Sequence, residues 1–197
     1  MANSTFSGPV RSEGGFKQIS KNSSTGVITD QVTVDSSGNL AQTAGVTNLI
    51  KDVENVTAAT KTLTAADTGT TFLMNRAGGI VITLPTAAAG LHYKFIIGTT
   101  FTGTFSIDAA AAVDIFTAGS TIVISDKDAP GTVSLKQFHA DGSDDDKMTM
   151  DADTKGRFVG GGIDCLGIAT GGQGSATAVW QMNGFTFGDG TLATPFT

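Results

Sequence analysis

The sequence predicts an all-β protein: an antiparallel β-sandwich or jelly-roll-like body with an extended N-terminal arm. Between residues 63 and 116, short runs of β-branched and aromatic residues are interrupted by Gly, Pro and Ala turns. The 26 glycines suit many tight turns, and the 12 phenylalanines supply most of the aromatic area for a core. Alternating helical segments are missing, which disfavours an α/β fold.

The first part of the chain differs in composition and is predicted to form an arm and linker, residues 1–60, before the body, residues 61–197. It is rich in Ser, Thr, Gly and Asn, and its apolar residues are spaced too widely to build a strand face. Such a segment needs another surface for burial, and we expect a partner to supply it. Residues 27–34 have β-type composition, and residues 47–54 predict a short helix.

The strands of the body are predicted from the turns that separate them. Gly78-Gly79 follows the first strand, and Pro85 ends the second because proline has no amide hydrogen for a ladder. The alanine run 109–112 is too short to nucleate a helix and predicts a turn. No repeat of fixed period is visible. The expected strands are residues 71–74, 80–84, 93–97, 103–108, 113–116, 120–125, 132–138, 147–150 and 157–168, followed by a hairpin over 176–187.

Charge and cysteine content restrict the function. The formal net charge of −6 argues against nucleic acid as a partner, because affinity for phosphates depends on Lys and Arg. Cys165 is the only cysteine, so an internal disulfide is excluded and a small core residue is predicted. No apolar run approaches the ~18 residues of a membrane span, and the first residues do not resemble a secretory signal. We expect a soluble protein without a membrane partner.

Two features of the sequence suggest ligand sites, and both have simpler interpretations. Six aspartates lie within residues 141–153, and clustered carboxylates suit calcium. They lack the spacing of an EF-hand loop, however, so the sequence predicts a solvated loop. The glycine runs 160–162 and 171–174 precede no helix, so they predict turns and not a phosphate site. The sequence therefore predicts no metal and no cofactor.

Catalytic residue types are scarce. His92 and His139 fall in no recognised signature, although a triad of His139 with a loop aspartate stays open as an alternative. A paired-carboxylate glycosidase is a second alternative, but the two glutamates, Glu13 and Glu54, both lie in the predicted arm. The prediction is that the protein is not an enzyme.

Residues 4–12 with Gly15-Phe16, and the segments 63–72, 82–85, 88–95, 178–184 and 193–196, together resemble virion proteins of tailed phages, especially marine and cyanobacterial ones. The opening residues 4–12, with Gly15-Phe16, resemble the start of such structural proteins. The central and final segments are similar to the β-rich module of capsid decoration, or cement, proteins and to its closing hairpin.

The resemblance implies a capsid decoration protein that binds the outside of the major capsid protein lattice and stabilises the shell. It implies synthesis in the host bacterial cytoplasm, location on the outer capsid surface, and a homo-oligomer, with a trimer favoured over a dimer. Together with the spacing of the arm it makes five residues candidates for the capsid interface. They are Phe6, Pro9, Val10, Arg11 and Phe16.

An alternative function is the receptor-binding knob of a phage head or tail fibre. In that case the loops at residues 98–103 and 141–153 would contact host glycans or proteins. The two functions differ in copy number, because a shell protein occurs in many symmetric copies and a fibre protein in few.

Overall fold

A computed structural model describes residues 16–21, 24–26, 28–34, 40–42, 52–112, 114–127, 134–169 and 178–197. The chain divides into two compact units, Met1–Ile50 and Lys51–Thr197. The described secondary structure consists of strands and two short 3-10 helices, Ala65–Asp67 and Asp153–Lys155, so the predicted all-β class is confirmed. No helix in these ranges has the length and apolar character needed to cross a membrane.

The described part of the first unit is a three-stranded antiparallel sheet. Strand β1 (Phe16–Lys21) pairs with β2 (Ile28–Val34), which pairs with β3 (Leu40–Gln42). The strand expected at residues 27–34 is therefore confirmed. The prediction of an extended arm over residues 1–60 is wrong for this stretch, because Phe16–Lys21, Ile28–Val34 and Leu40–Gln42 pair with one another. The wide apolar spacing does not reveal β1, which is defined by its hydrogen bonds to β2.

The second unit contains two sheets. The larger sheet has the strand order β11-β10-β14-β13-β8-β6-β4, and the smaller has the order β12-β9-β7-β5. The strands are β4 (Val53–Val56), β5 (Thr60–Thr62), β6 (Thr71–Met74), β7 (Val81–Thr83), β8 (His92–Ile97), β9 (Phe105–Asp108), β10 (Thr121–Asp126), β11 (Leu135–His139), β12 (Lys147–Met150), β13 (Gly162–Ala169) and β14 (Ala178–Gly188).

From β4 to β9 the chain alternates between the two sheets and so winds round and round; we call this winding segment the coil. Strands β4, β6 and β8 are parallel neighbours in the larger sheet, and β5, β7 and β9 are parallel neighbours in the smaller one. Each turn of the coil adds one strand to each sheet. Successive strands of the larger sheet start at residues 53, 71 and 92, so the turns differ in length and leave no fixed period in the sequence.

The prediction of an antiparallel body is only partly correct. The pairs β9–β12, β10–β11, β8–β13 and β13–β14 are antiparallel. The four pairs within the coil and the pair β10–β14 are parallel. Short strands whose crossovers run through a second sheet can become parallel neighbours without a helix, and their composition does not reveal this.

Three local predictions are wrong. The helix expected at residues 47–54 is contradicted at its described end, because Val53–Val56 is a strand. The strand expected at residues 113–116 is reduced to an isolated bridge between Phe116 and Trp180. The hairpin expected at residues 176–187 is one continuous strand, Ala178–Gly188, whose Gly184 leaves room for the packed side chain of Ile122.

The second unit includes strands that precede residue 61. Strand β4 pairs with β6, and β5 pairs with β7, so the predicted division between residues 60 and 61 falls inside this unit. The ion pair of Glu54 and Lys61, with 2.8 Å between Oε1 and Nζ, links the first strand of one sheet to the first strand of the other. Glu54 thus has a structural partner at the start of the coil.

Buried side chains of both sheets form one hydrophobic core. Tyr93 and Trp180 are its largest members, and their ring centroids lie 5.7 Å apart. Cys165 is fully buried in this core, as predicted, and burial raises the pKa of its thiol above the ordinary value. The two sheets are therefore stabilised by the same apolar cluster.

The final residues cover one edge of the smaller sheet. Phe196 forms an antiparallel bridge with Met148 of β12, and the backbone N–H groups of Thr149 and Thr197 donate to Pro195 and Lys147. The Phe196 ring is 4% exposed, and its centroid lies 6.2 Å from that of Phe116. The edge of β12 is therefore not free to pair with another chain.

Replacing Phe196 by alanine is expected to lower the free energy of unfolding by about 3 kcal/mol, because it leaves a cavity in the core and uncovers β12. The matched control is Phe185→Ala, since Phe185 is 45% exposed and should cost less than about 1 kcal/mol. Urea unfolding of both variants measures the difference. Equal losses would contradict the packing described for Phe196.

Candidate functional site

The acidic turn, residues 141–146, joins β11 to β12 and is ordered by its own hydrogen bonds. The backbone N–H and the hydroxyl of Ser143 each donate to the Asp141 carboxylate at 2.8 Å. The backbone N–H of Asp141 donates to Oδ2 of Asp145 at 2.7 Å. One carboxylate oxygen from each of Asp141, Asp144 and Asp145 lies within 4.8 Å of the others.

Hydrogen bonding and burial move two carboxyl groups of this turn in opposite directions. The backbone N–H of Ser143, followed by its hydroxyl, lowers the pKa of Asp141 to about 2. Partial burial and the neighbouring aspartates raise the pKa of Asp145 above the ordinary value. The turn thus places a carboxyl group of lowered pKa beside one of raised pKa, the first shifted by hydrogen bonds from Ser143 and the second by burial.

Calcium binding is not needed to explain this cluster. Calcium takes six to eight oxygen ligands, whereas the cluster offers three carboxylates, two of which already accept backbone N–H groups. Asp141 and Asp144 are exposed. We therefore retain the interpretation of a solvated loop.

We expect the Asp141 carboxyl to titrate near pH 2 in a 13C-detected NMR pH titration. Its pKa is lowered in the folded state, so the stability it contributes is present above its unfolded value of 3.8 and is lost as the pH falls towards about 2. Ser143→Ala should raise this pKa towards 3.8 by removing the hydroxyl donor. Thr121→Ala, on β10, is the control and should leave it unchanged.

The two histidines lie on strands of the larger sheet and contact polar neighbours. Nε2 of His92 lies 3.3 Å from Oδ1 of Asp164 on β13. Nδ1 of His139 lies 3.0 Å from the hydroxyl of Thr121 on β10, in an exposed pair. These contacts do not form the candidate triad of His139 with a loop aspartate, because the side chain that contacts the His139 ring is that of Thr121.

The larger sheet has one face in the core and one facing outward, which we call the outer face. Its apolar side chains form a row across the strands, because Val123 pairs with Phe185 and Ile96 pairs with Leu73, and Gly162 joins the two pairs. Among the residues whose side-chain exposure is described, five large apolar residues are exposed; four of them are in strands, and all four lie on this face. They are Val53, Leu135, Leu166 and Phe185.

The outward side of the smaller sheet is polar by contrast. Thr60 and Thr62 are exposed on β5, and Thr149 lies on β12. Lys147 and Asp108 form an ion pair there, with 3.0 Å between Nζ and Oδ2. The large exposed apolar side chains of strands β4–β14 therefore lie on one side of the second unit.

The predicted capsid-interface residues cannot be placed together on this surface. Phe6, Pro9, Val10 and Arg11 lie outside the described residues, and Phe16 begins β1, for which the backbone alone is described. The outer face was not predicted from the sequence. The sequence contains a signal for it: β8 and β14 already have apolar residues on the side that faces the core, and Ile96 and Phe185 place further apolar residues on the opposite side.

No protein-family model and no curated protein matches this sequence.

Proposed function

We propose that the chain is a non-enzymatic virion structural protein, a decoration protein that binds the outside of a phage capsid lattice and stabilises the shell. The observation that carries the proposal is the apolar row of the outer face, in which Phe185 is 45% exposed beside Val123 on β10. Exposed apolar surface of this kind marks protein contact sites. The resemblance of the sequence to decoration proteins supports the choice of partner.

In this proposal the two sheets form a sandwich or jelly-roll-like body that acts as a rigid handle. The N-terminal arm lies across capsid subunits, with Phe6, Val10 and Phe16 as apolar anchors and Arg11 paired with an acidic group of the major capsid protein. A homotrimer on a threefold position of the lattice is the assembly that the resemblance favours. Charged residues are only 15% of the chain, which suits adhesion through apolar contacts.

A receptor-binding knob is the second candidate, and the exposed acidic turn favours it. Asp141 and Asp144 are held in fixed positions at the surface, where a host glycan or protein could hydrogen-bond to them. This function needs few copies per virion.

Copy number tests the proposal. Virions of the phage that encodes this chain are purified, and the chain is quantified against the major capsid protein by gel densitometry or mass spectrometry. A decoration protein is expected at on the order of hundreds of copies, in a fixed ratio to the capsid protein. A handful of copies would favour the knob, and no copies would remove both functions.

A further inference from the structure

We propose that the ion pair of Glu54 and Lys61 prevents a second copy of this chain from pairing with the first turn of the coil. That turn consists of β4 at one edge of the larger sheet and β5 at one edge of the smaller sheet, and we call the two strands together the coil end. The inference rests on the second unit alone and is independent of the proposed function.

The core-facing positions of the first turn carry charges where the next two turns carry apolar side chains. Across the parallel strands, each charged residue aligns with two residues that are fully buried in the core. The aligned sets are Glu54, Phe72 and Phe95 in the larger sheet, and Lys61, Ile82 and Ile107 in the smaller sheet. The core of the coil therefore ends at a charged pair and not at another apolar layer.

The ion pair lies over the end of the core and joins the two sheets. Nζ of Lys61 donates to both carboxylate oxygens of Glu54, at 2.8 and 2.9 Å, and lies 5.8 Å from the centroid of the buried Phe72 ring. The two side chains are 27% and 39% exposed. Because a partly exposed ion pair adds little to stability, its position in line with the core indicates a different role.

The backbone of the coil end offers free edges to a further strand. The carbonyl oxygens of Asp52 and Val56 accept backbone hydrogen bonds at the two ends of β6, so Val53 and Asn55 direct their backbone groups away from β6. By the same alternation, β5 presents an edge on the side away from β7. Among the described strands, none pairs with these edges. Such edges are templates on which another chain adds a strand.

A second copy of this chain fits the coil end in shape but not in charge. A two-fold axis perpendicular to the direction in which the turns stack would place each edge strand against its own copy, and both new ladders would be antiparallel. The joint would then bury two copies of the Glu54–Lys61 pair between the sheets. Removing these charges from water opposes the association, and inward-pointing charges are a known protection of edge strands.

The experiment measures the mass of the purified full-length chain by analytical ultracentrifugation. The variant with Glu54→Leu and Lys61→Met keeps the side-chain size and removes both charges. At about 100 µM its mass should be about twice that of wild type, and its melting temperature should not fall. The charge-swapped variant, Glu54→Lys with Lys61→Glu, should keep the wild-type mass. So should Asp108→Leu with Lys147→Met, which removes an ion pair from the outward side of the smaller sheet.

A further substitution tests whether the association uses the edge of β4. Adding Asn55→Pro to the apolar variant should restore the wild-type mass, because proline cannot donate to a new ladder. The inference is wrong if the apolar variant keeps the wild-type mass, if Asn55→Pro does not reverse the increase, or if the Asp108 and Lys147 variant associates equally. A melting temperature lower by more than about 5 °C would also overturn it, since the pair would then be needed for folding. So would a wild-type assembly that Asn55→Pro dissociates.

Discussion

Replacing Gly79 by alanine is expected to lower the free energy of unfolding by more than about 3 kcal/mol, because it combines backbone strain with a steric clash. Gly79 lies in the turn between β6 and β7 with φ of +92°, a backbone conformation that favours glycine. A Cβ atom there would lie 2.2 Å from the carbonyl oxygen of Thr104. That oxygen lies in the loop between β8 and β9. The loop between β6 and β7, which contains Gly79, would therefore have to move away from it.

The matched control for this substitution is Gly69→Ala. Gly69 has a similar φ of +84°, but no atom lies within 4 Å of the position that its Cβ would take. Its cost should be the conformational one alone, about 1 to 2 kcal/mol. Urea unfolding followed by the fluorescence of Trp180, the single tryptophan, measures both variants. Equal costs would mean that the two turns do not pack as closely as described.

Deletion of residues 2–15 is expected to weaken binding to capsid shells by about a hundredfold or more. It removes four of the five predicted interface residues and leaves Phe16 as the first residue of β1, so the paired strands of the first unit are retained. The physical reason is the loss of the apolar anchors and of the Arg11 ion pair that the proposed function assigns to the arm. Co-sedimentation with shells measures the change.

A control separates loss of the apolar anchors from loss of chain length. The full-length variant with Phe6 and Val10 changed to serine should bind nearly as weakly as the deletion, whereas the variant with Ser4 and Ser7 changed to alanine should bind like wild type. Circular dichroism should show the same strand content in all of them. A truncated chain that decorates shells with unchanged affinity would remove the arm from the proposed mechanism.

The strands themselves were largely predictable from sequence because their signals are local. The runs at residues 71–74 and 147–150 form strands with those same bounds, and Pro85 follows the end of β7 as expected. Burial of Cys165 was also predicted. In each case a short stretch of apolar, β-branched or turn-forming residues determines the outcome, since β-propensity and the missing proline donor act within a few residues.

The candidate sites were less predictable because they depend on which strands become neighbours. The sequence places Asp141, Asp144 and Asp145 close together, but the Ser143 hydrogen bonds that lower the pKa of Asp141 and the burial that raises the pKa of Asp145 arise only in the folded turn. The outer face joins β10, β14, β13, β8 and β6, whose residues are scattered over more than a hundred positions. The apolar row forms only because these strands pair in the observed register.

The sequence by itself determined the all-β class, the positions of most strands and the absence of an internal disulfide, because these follow from composition and from contacts between near neighbours. Tertiary structure decided the direction of the strands, the continuity of β14 and the collection of exposed apolar residues on one side of the body. The physical reason is that a strand can hydrogen-bond to any partner in either direction. The choice is made by packing of the whole core, which joins residues far apart in the chain.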